Sequence, residues 1–321
     1  MPESDEQQRG EVAFTNLDEP LFSGADATKR VLVEYLDAMS RRIVTELHDR
    51  PLSVIRVHRD QAPFMQKNVP AYTPSWVHTV RLWAETSKRE VSYALCNDRP
   101  TLMWFANQRA VEYHPALYRV NRSPSPLYLI LDLDPPSVEA FAAAVRTAHL
   151  VRQALSDVGI EGAVKTSGAK GVHVFVPVKR ATFEDVAAAA RSIAARTEQL
   201  DPSLATTAFV KEERRGRVFV DATRVGPGAT VVAAYSPRAR PGVPVSFPLS
   251  WDDLDRITPM DFSMRTVPSM LADRDPWLDH MPQPQTLPDE LIDEGRAIPI
   301  ARVQAMHEGL RKSRARRAAG D

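Results

Sequence analysis

Asp132 and Asp134 stand two residues apart at the end of the apolar run Leu127-Tyr128-Leu129-Ile130-Leu131. Side chains in a strand alternate with period 2, so this spacing puts both carboxylates on one face. Two crowded negative charges are costly without a cation, because one is driven to protonate, whereas a bound Mg²⁺ or Mn²⁺ uses both. A plainer reading competes on even terms: Asp134 as the N-cap of a following helix, with Pro135 in its first turn. That reading leaves Asp132 without a role. Asp221 ends the strand-like run Val218-Phe219-Val220 and could join the pair from a neighbouring strand, which would make a two-metal phosphoryl-transfer centre. Taken alone, it reads as an acid that starts a turn.

The stretch Lys165-Thr166-Ser167-Gly168-Ala169-Lys170-Gly171-Val172-His173 has the residue types a triphosphate needs. Small residues let backbone N–H groups approach, and Ser167, Lys170 and His173 offer a hydroxyl, an ammonium and an imidazole. The spacing is not that of a P-loop, and in isolation it equally describes a hairpin turn with a solvated lysine. Lys211, Arg214, Arg215, Arg224, Arg238 and Arg240 recur on the segments that flank Asp221. Around a carboxylate trio they suit a phosphate channel; otherwise they are surface cations. His114 has no such context and reads as a core or loop histidine. Phe64-Met65-Gln66-Lys67-Asn68 combines a ring, a cation and amides that could stack a base and hold a phosphate, or could be a loop packed on the core.

The elements that must position these groups are legible in outline. Apolar spacing predicts one helix over Val31–Leu47, strands at 52–57 and 91–95, and a short helix over 104–111 leading to a turn at His114-Pro115. Farther on it predicts a strand through 127–131, a helix over 138–158, two strands (163–166 and 172–178) around the glycine-bearing loop, a helix over 183–199, and strands at 217–220 and 230–235. Such an order suggests an α+β core, a small sheet with helices on one side. Residues 1–10 are polar and expected to be disordered, and 301–321 form a basic C-terminal helix or tail with five cations between Arg311 and Arg317. That tail is as consistent with a DNA or partner contact as with a solvated helix end.

Lysine plus arginine and aspartate plus glutamate each number 41 in 321 residues, so the formal charge is zero. A wholly basic nucleic-acid coat is excluded, and any polyanion site must be local. One cysteine, Cys96, rules out an intrachain disulfide or a cysteine-based zinc site and points to a reducing cytosol. The N-terminus lacks an apolar leader and nothing approaches a membrane span, so a soluble cytoplasmic, nucleoid-associated protein is expected.

Leu131-Asp132-Leu133-Asp134-Pro135, the 165–173 loop, Phe219-Val220-Asp221 with Arg224, then Tyr235-Ser236-Pro237-Arg238-Ala239-Arg240 and Pro248-Leu249-Ser250-Trp251 occur in an order that resembles the polymerase domain of bacterial Ligase D. That domain belongs to the archaeo-eukaryotic primase superfamily. The resemblance runs from Thr15-Asn16-Leu17-Asp18 to about Leu254. It implies a single primase-polymerase domain over 11–300, with an N-terminal mixed α/β subdomain to about 125 and an RRM-like catalytic sheet over about 126–260. It implies Asp132, Asp134 and Asp221 as ligands of two Mn²⁺ or Mg²⁺ ions, with Ser167, Gly168, Lys170, His173, Arg224, Arg238 and Arg56 around an incoming NTP or dNTP. His114 becomes an active-site residue, and Asn16, Lys29, Phe64, Lys67 and Asn68 become DNA contacts. Ribonucleotide preference and gapped or primer-template DNA as substrate follow from the same likeness.

Three positions depart from the pattern. Glu19 stands where members carry a lysine that helps grip a downstream 5′-phosphate, and a carboxylate repels phosphate. The usual Phe-Phe reads Phe64-Met65, and the usual Lys-Arg reads Ile55-Arg56. With no ligase or nuclease segment attached, the chain is similar to stand-alone actinobacterial relatives of the Prim-PolC type, which work beside a separate ligase of the Ligase C type in gap repair and can start primers. The expected activity is metal-dependent, template-directed nucleotidyl transfer. The alternatives are a gap- or end-binding scaffold whose catalysis has decayed, and another Asp-x-Asp enzyme. Against the latter, Pro136 breaks the haloacid dehalogenase pattern, and sugar-nucleotide transferases do not carry the 167–173 loop.

Overall fold

A computed structural model describes residues 7–9, 12–58, 61–84, 88–121 and 125–300. The expected disorder of residues 1–10 does not extend to β1 (Gln7–Arg9), which pairs antiparallel with β2 (Val12–Phe14). The basic C-terminal helix or tail, 301–321, lies outside the described residues. The helix expected over 31–47 is two, α1 (Lys29–Ala38) and α2 (Ser40–Leu47). Met39, with φ −93° and ψ 1°, leaves helical geometry between them while its own side chain stays buried. The apolar pattern therefore reads straight through the break.

Next come β3 (Pro51–His58), β4 (Gln61–Gln66), β5 (Thr79–Ala84), β6 (Arg89–Leu95), α3 (Arg99–Asn107) and β7 (Ala110–Pro115). Their five strands form one antiparallel sheet in the order β4-β3-β6-β5, with β7 also paired to β3. Helix α3 begins earlier than its apolar residues suggest. The Asp98 side chain caps it by accepting from Thr101 N at 2.8 Å, with proline in the first turn. The chain then reverses at Arg109, φ +59°, and His114-Pro115, expected as a turn, ends β7.

The second sheet is the α+β core. β8 (Tyr128–Asp134) lies between β10 (Val172–Pro177) and β12 (Val218–Asp221), and the full order is β11-β12-β8-β10-β9-β13, with β9 (Ala163–Thr166), β11 (Ala205–Thr206) and β13 (Pro248–Leu249). Leu129, Ile130 and Leu131 are all buried, as their continuous apolar run requires of a strand covered on both faces. Helices α4 (Phe141–Ser156) and α5 (Phe183–Leu200) pack on this sheet, both touching β8. The capping box Thr182–Asp185 opens α5. After short helices α6 (Val267–Leu271) and α7 (Pro276–His280), α8 (Asp289–Ala297) closes over α5. Gly295 is obligatory there, since a Cβ would lie 1.9 Å from Ala188 O.

The strand expected at 230–235 is not in either sheet. Thr230 makes a single bridge to Ala116, and Ala233 N donates to Tyr113 O at 2.9 Å. Val231 to Tyr235 are buried as an irregular segment, so burial on every side mimicked a strand pattern. Among the described residues no helix is long and apolar enough to cross a membrane.

Candidate active site

Sheet register assembles the site. Asp221 on β12 is the cross-strand partner of Asp132 on β8, Asp132 of His173 on β10, and His173 of Lys165 on β9. Partners directly opposite share a face, so four polar side chains from four strands form one row. Asp134 adds a third carboxylate to that face two residues along β8. It caps nothing, because α4 starts at Phe141 behind the uncapped Ala140, and the helix-cap reading falls.

Arg224 bridges the row at one end: its Nε lies 3.3 Å from Asp132 Oδ2 and 3.1 Å from Asp221 Oδ2. Asp221 also begins a turn, accepting from Thr223 N at 2.8 Å and Thr223 Oγ1 at 2.6 Å, so it both meets Asp132 from the neighbouring strand and starts a turn. At the other end His173 Nε2 is 3.3 Å from Asp132 Oδ1, and Lys165 Nζ is 2.9 Å from His173 Nδ1. With Lys165 Nζ donating to Nδ1, the proton of a neutral His173 is on Nε2, facing the carboxylate. Burial, then Lys165, pulls the imidazole down to about 4, so it is neutral at pH 7. Burial would raise Asp132, but His173, Arg224 and Lys165 hold it down at about 2. Asp134 is raised instead, by burial and then by Asp132. Lys170 Nζ donates to Pro135 O at 2.5 Å and stands 4.0 Å from Asp134 Oδ1.

The 165–173 loop is built around Ser167, whose Oγ accepts from Gly171 N at 3.0 Å and Ala169 N at 3.2 Å. Gly168 has φ +65°, and a Cβ there would lie 2.7 Å from both Arg238 Cγ and Ser246 N. Only glycine lets the loop come this close. The result is a cleft of about 350 Å³ lined by His114, Asp132, Asp134, Ser167, Lys170, His173, Arg224, Arg238, Arg240, Met65 and Thr230. Asp221 meets it through Arg224. Of the basic residues flanking Asp221, only Arg224, Arg238 and Arg240 reach it.

Sequence reading missed Glu112. Its Oε1 accepts from Ala239 N at 2.9 Å, and its Oε2 accepts from His114 Nε2 at 2.8 Å and lies 3.0 Å from Arg238 Nε in an ion pair. Burial opposes its charge, but the His114 hydrogen bond and Arg238 bring it down to about 2. The signal was present: Glu112 and His114 are two apart on one strand, hence on one face. With Nε2–H given to Glu112, a neutral His114 offers Nδ1 as an acceptor.

Arg56 is not in the cleft. β3 shifts register against β7 between Ile55 and Arg56, and the guanidinium donates to Gln108 O at 2.8 Å and Gln66 Oε1 at 2.8 Å, with the Phe64 ring 5.7 Å away. Phe64, Lys67 and Asn68 line a neighbouring depression with Arg89. Lys29 is 3% exposed, and its Nζ donates to Thr15 O at 2.6 Å and Asn107 Oδ1 at 2.5 Å. Asn16 takes φ +53° in the same loop, and Glu19 lies 3.4 Å from Arg109 Nη1.

The three carboxylates are hard oxygen donors crowded on one face, a set that fits Mg²⁺ or Mn²⁺. Among the described residues no three such groups converge on one point in this conformation, and Arg224 stands between Asp132 and Asp221.

Residues 28–277 match the family model for the LigD primase-polymerase domain. The chain belongs to the LigD primase-polymerase family. The bifunctional non-homologous end joining protein LigD of Bacillus subtilis is 30% identical over 283 residues, 86% of this chain and 45% of the relative. The multifunctional LigD of Mycolicibacterium smegmatis is 28% identical over 249 residues, 76% of this chain and 32% of the relative. The chain thus spans less than half the length of these relatives. Among solved structures, the polymerase domain of Mycobacterium tuberculosis Ligase D in complex with DNA superposes with a TM-score of 0.77 at 27% identity, covering 85% of this chain and 98% of that one. The α+β primase-polymerase fold expected from the motifs is therefore the fold of this LigD-type chain.

Proposed function

We propose that this LigD-type chain is a template-directed nucleotidyltransferase that fills short gaps in DNA during repair and can prime. The observation that carries the reading is the polar row Asp221–Asp132–His173–Lys165 beside the glycine-dependent 165–173 loop. It joins an acidic centre to a cationic anion cradle in one cleft. The DNA complex of the similar mycobacterial domain supports DNA as the substrate.

Asp132, Asp134 and Asp221 would hold Mn²⁺ or Mg²⁺, which when bound supplies Lewis acidity and charge neutralisation for displacement at the α-phosphorus. Ser167, Lys170 and Arg238 would present hydroxyl, ammonium and guanidinium donors to a triphosphate, and the His173 Nε2–H, which faces Asp132, would turn to it once that carboxylate finds another cation. Arg224, now paired with two carboxylates, can turn to the phosphates once those carboxylates find another cation. The Nδ1 acceptor of His114 suits a sugar hydroxyl better than a phosphate oxygen, which supports a preference for ribonucleotides over dNTPs. Lys29 is spent on Thr15 O and Asn107 Oδ1, and Glu19 faces Arg109, which supports gap filling that ignores a downstream 5′-phosphate. A separate ligase of the Ligase C type would then seal the product.

Extension of gapped primer-templates with ribo- or deoxyribonucleotides and Mn²⁺, with and without a downstream 5′-phosphate, tests this. Ribonucleotide addition indifferent to the phosphate is expected. Tight binding of gapped DNA with no nucleotide addition would favour the scaffold reading instead.

A further inference from the structure

Next to the catalytic cleft, and sharing Thr230 with it, is a second depression of about 260 Å³ between β3, the β5–β6 hairpin and residues 227–230. Ser53, Lys67, Trp83, Tyr93 and Tyr118 line it. Ser53 is the cross-strand partner of His114, so the two hollows adjoin across a single strand pair. Ser53 is 1% exposed, yet its hydroxyl has no hydrogen-bond partner among the described residues. Buried hydroxyls are nearly always paired, and this one lies within the wall of the hollow. Trp83 is 57% exposed. Burial raises the phenols of Tyr93 and Tyr118, which stay neutral.

Aromatic faces and one ammonium match a nucleotide: a base for the rings and a phosphate for Lys67. In a duplex each base face is covered by its neighbours, so only an unpaired base can use the rings. We propose that this depression holds an unpaired nucleotide of the template strand, the one just beyond the base being copied. The inference rests on the polymerase reading and adds a template subsite to it. It also gives a role to Lys67, which lines both this depression and the one beside Phe64.

The test uses the full chain and two primer-templates, one with a single unpaired template base and one with six. The longer carries 2-aminopurine one position beyond the templating base. Wild-type protein should quench this probe on binding, a readout that needs no catalysis. Trp83→Ala should lose the quench and weaken binding of the longer template roughly tenfold, as expected for loss of base–aromatic stacking, with the shorter template unaffected. Trp83→Phe should restore both, which separates stacking from a folding defect. No quench with wild type, or equal losses on both templates, would overturn the subsite. Quenching without nucleotide addition by the wild type would leave the subsite standing and refute the polymerase reading.

Discussion

Replacing Glu112 with glutamine keeps the side chain's shape and removes its charge. In the native site Oε1 takes the Ala239 N–H while Oε2 serves His114 and Arg238. A glutamine amide has one oxygen, so one of these two positions must present N–H to another N–H. Lowering of the carboxyl from 4.5 to about 2 corresponds to about 3 kcal/mol of preference for the charged form. Breaking a buried ion pair on one side costs about 3–5 kcal/mol in general. We therefore expect Glu112→Gln to lose about 2–4 kcal/mol, shared between folding and nucleotide binding. Urea unfolding should show a lower midpoint at unchanged slope. Steady-state kinetics should show KM for the nucleotide raised about tenfold or more, since about 1.4 kcal/mol is one decade. Unfolding and KM both at wild-type values would refute the positioning role.

Gly168→Ala forces a side chain into φ +65° and against Arg238 and Ser246. About 1–2 kcal/mol for the left-handed backbone and about 1–3 for overpacking predict a loss of roughly 2–5 kcal/mol in thermal or urea unfolding, and an unaltered midpoint would contradict the loop geometry. Stability should also fall with acid in a defined window. His173 titrates at about 4 in the folded protein against 6.5 as the ordinary value, so the unfolded chain binds the extra proton between those pH values. Stability is then full above about pH 6.5 and lost progressively toward pH 4, by at most about 3 kcal/mol; a flat stability profile from pH 7 to 4.5 would disprove this. Lys29→Met should lower stability by about 1–3 kcal/mol through the lost Thr15 and Asn107 bonds. It should not alter the affinity ratio for gaps with and without a 5′-phosphate, whereas a changed ratio would return Lys29 to the phosphate grip.

Local chemistry was readable where it depended on short-range pattern. The Asp132/Asp134 pair, the 165–173 loop and the two-faced burial of β8 all follow from period and composition. Asp221 could be nominated but not placed, because its meeting with Asp132 depends on which strands pair and in what register. Strand β7 was hidden by the reversal at Arg109, which separates it from α3 without a glycine or proline to mark the turn. Arg56 was displaced by a register shift that no composition rule signals. Lys165, read only as part of the loop, is 0% exposed and reaches His173 Nδ1 from the next strand. Glu112 was overlooked although its spacing from His114 was in plain view, because a single acid beside a histidine gains meaning only when Arg238 arrives from far along the chain.

The most direct measurement is templated single-nucleotide addition to a gapped substrate with Mn²⁺, comparing wild type with Asp132→Asn. The wild type should add the complementary nucleotide and the variant, which keeps the shape but loses the charge at the centre of the row, should not. Addition at the wild-type rate by Asp132→Asn, or none by the wild type, would contradict the account.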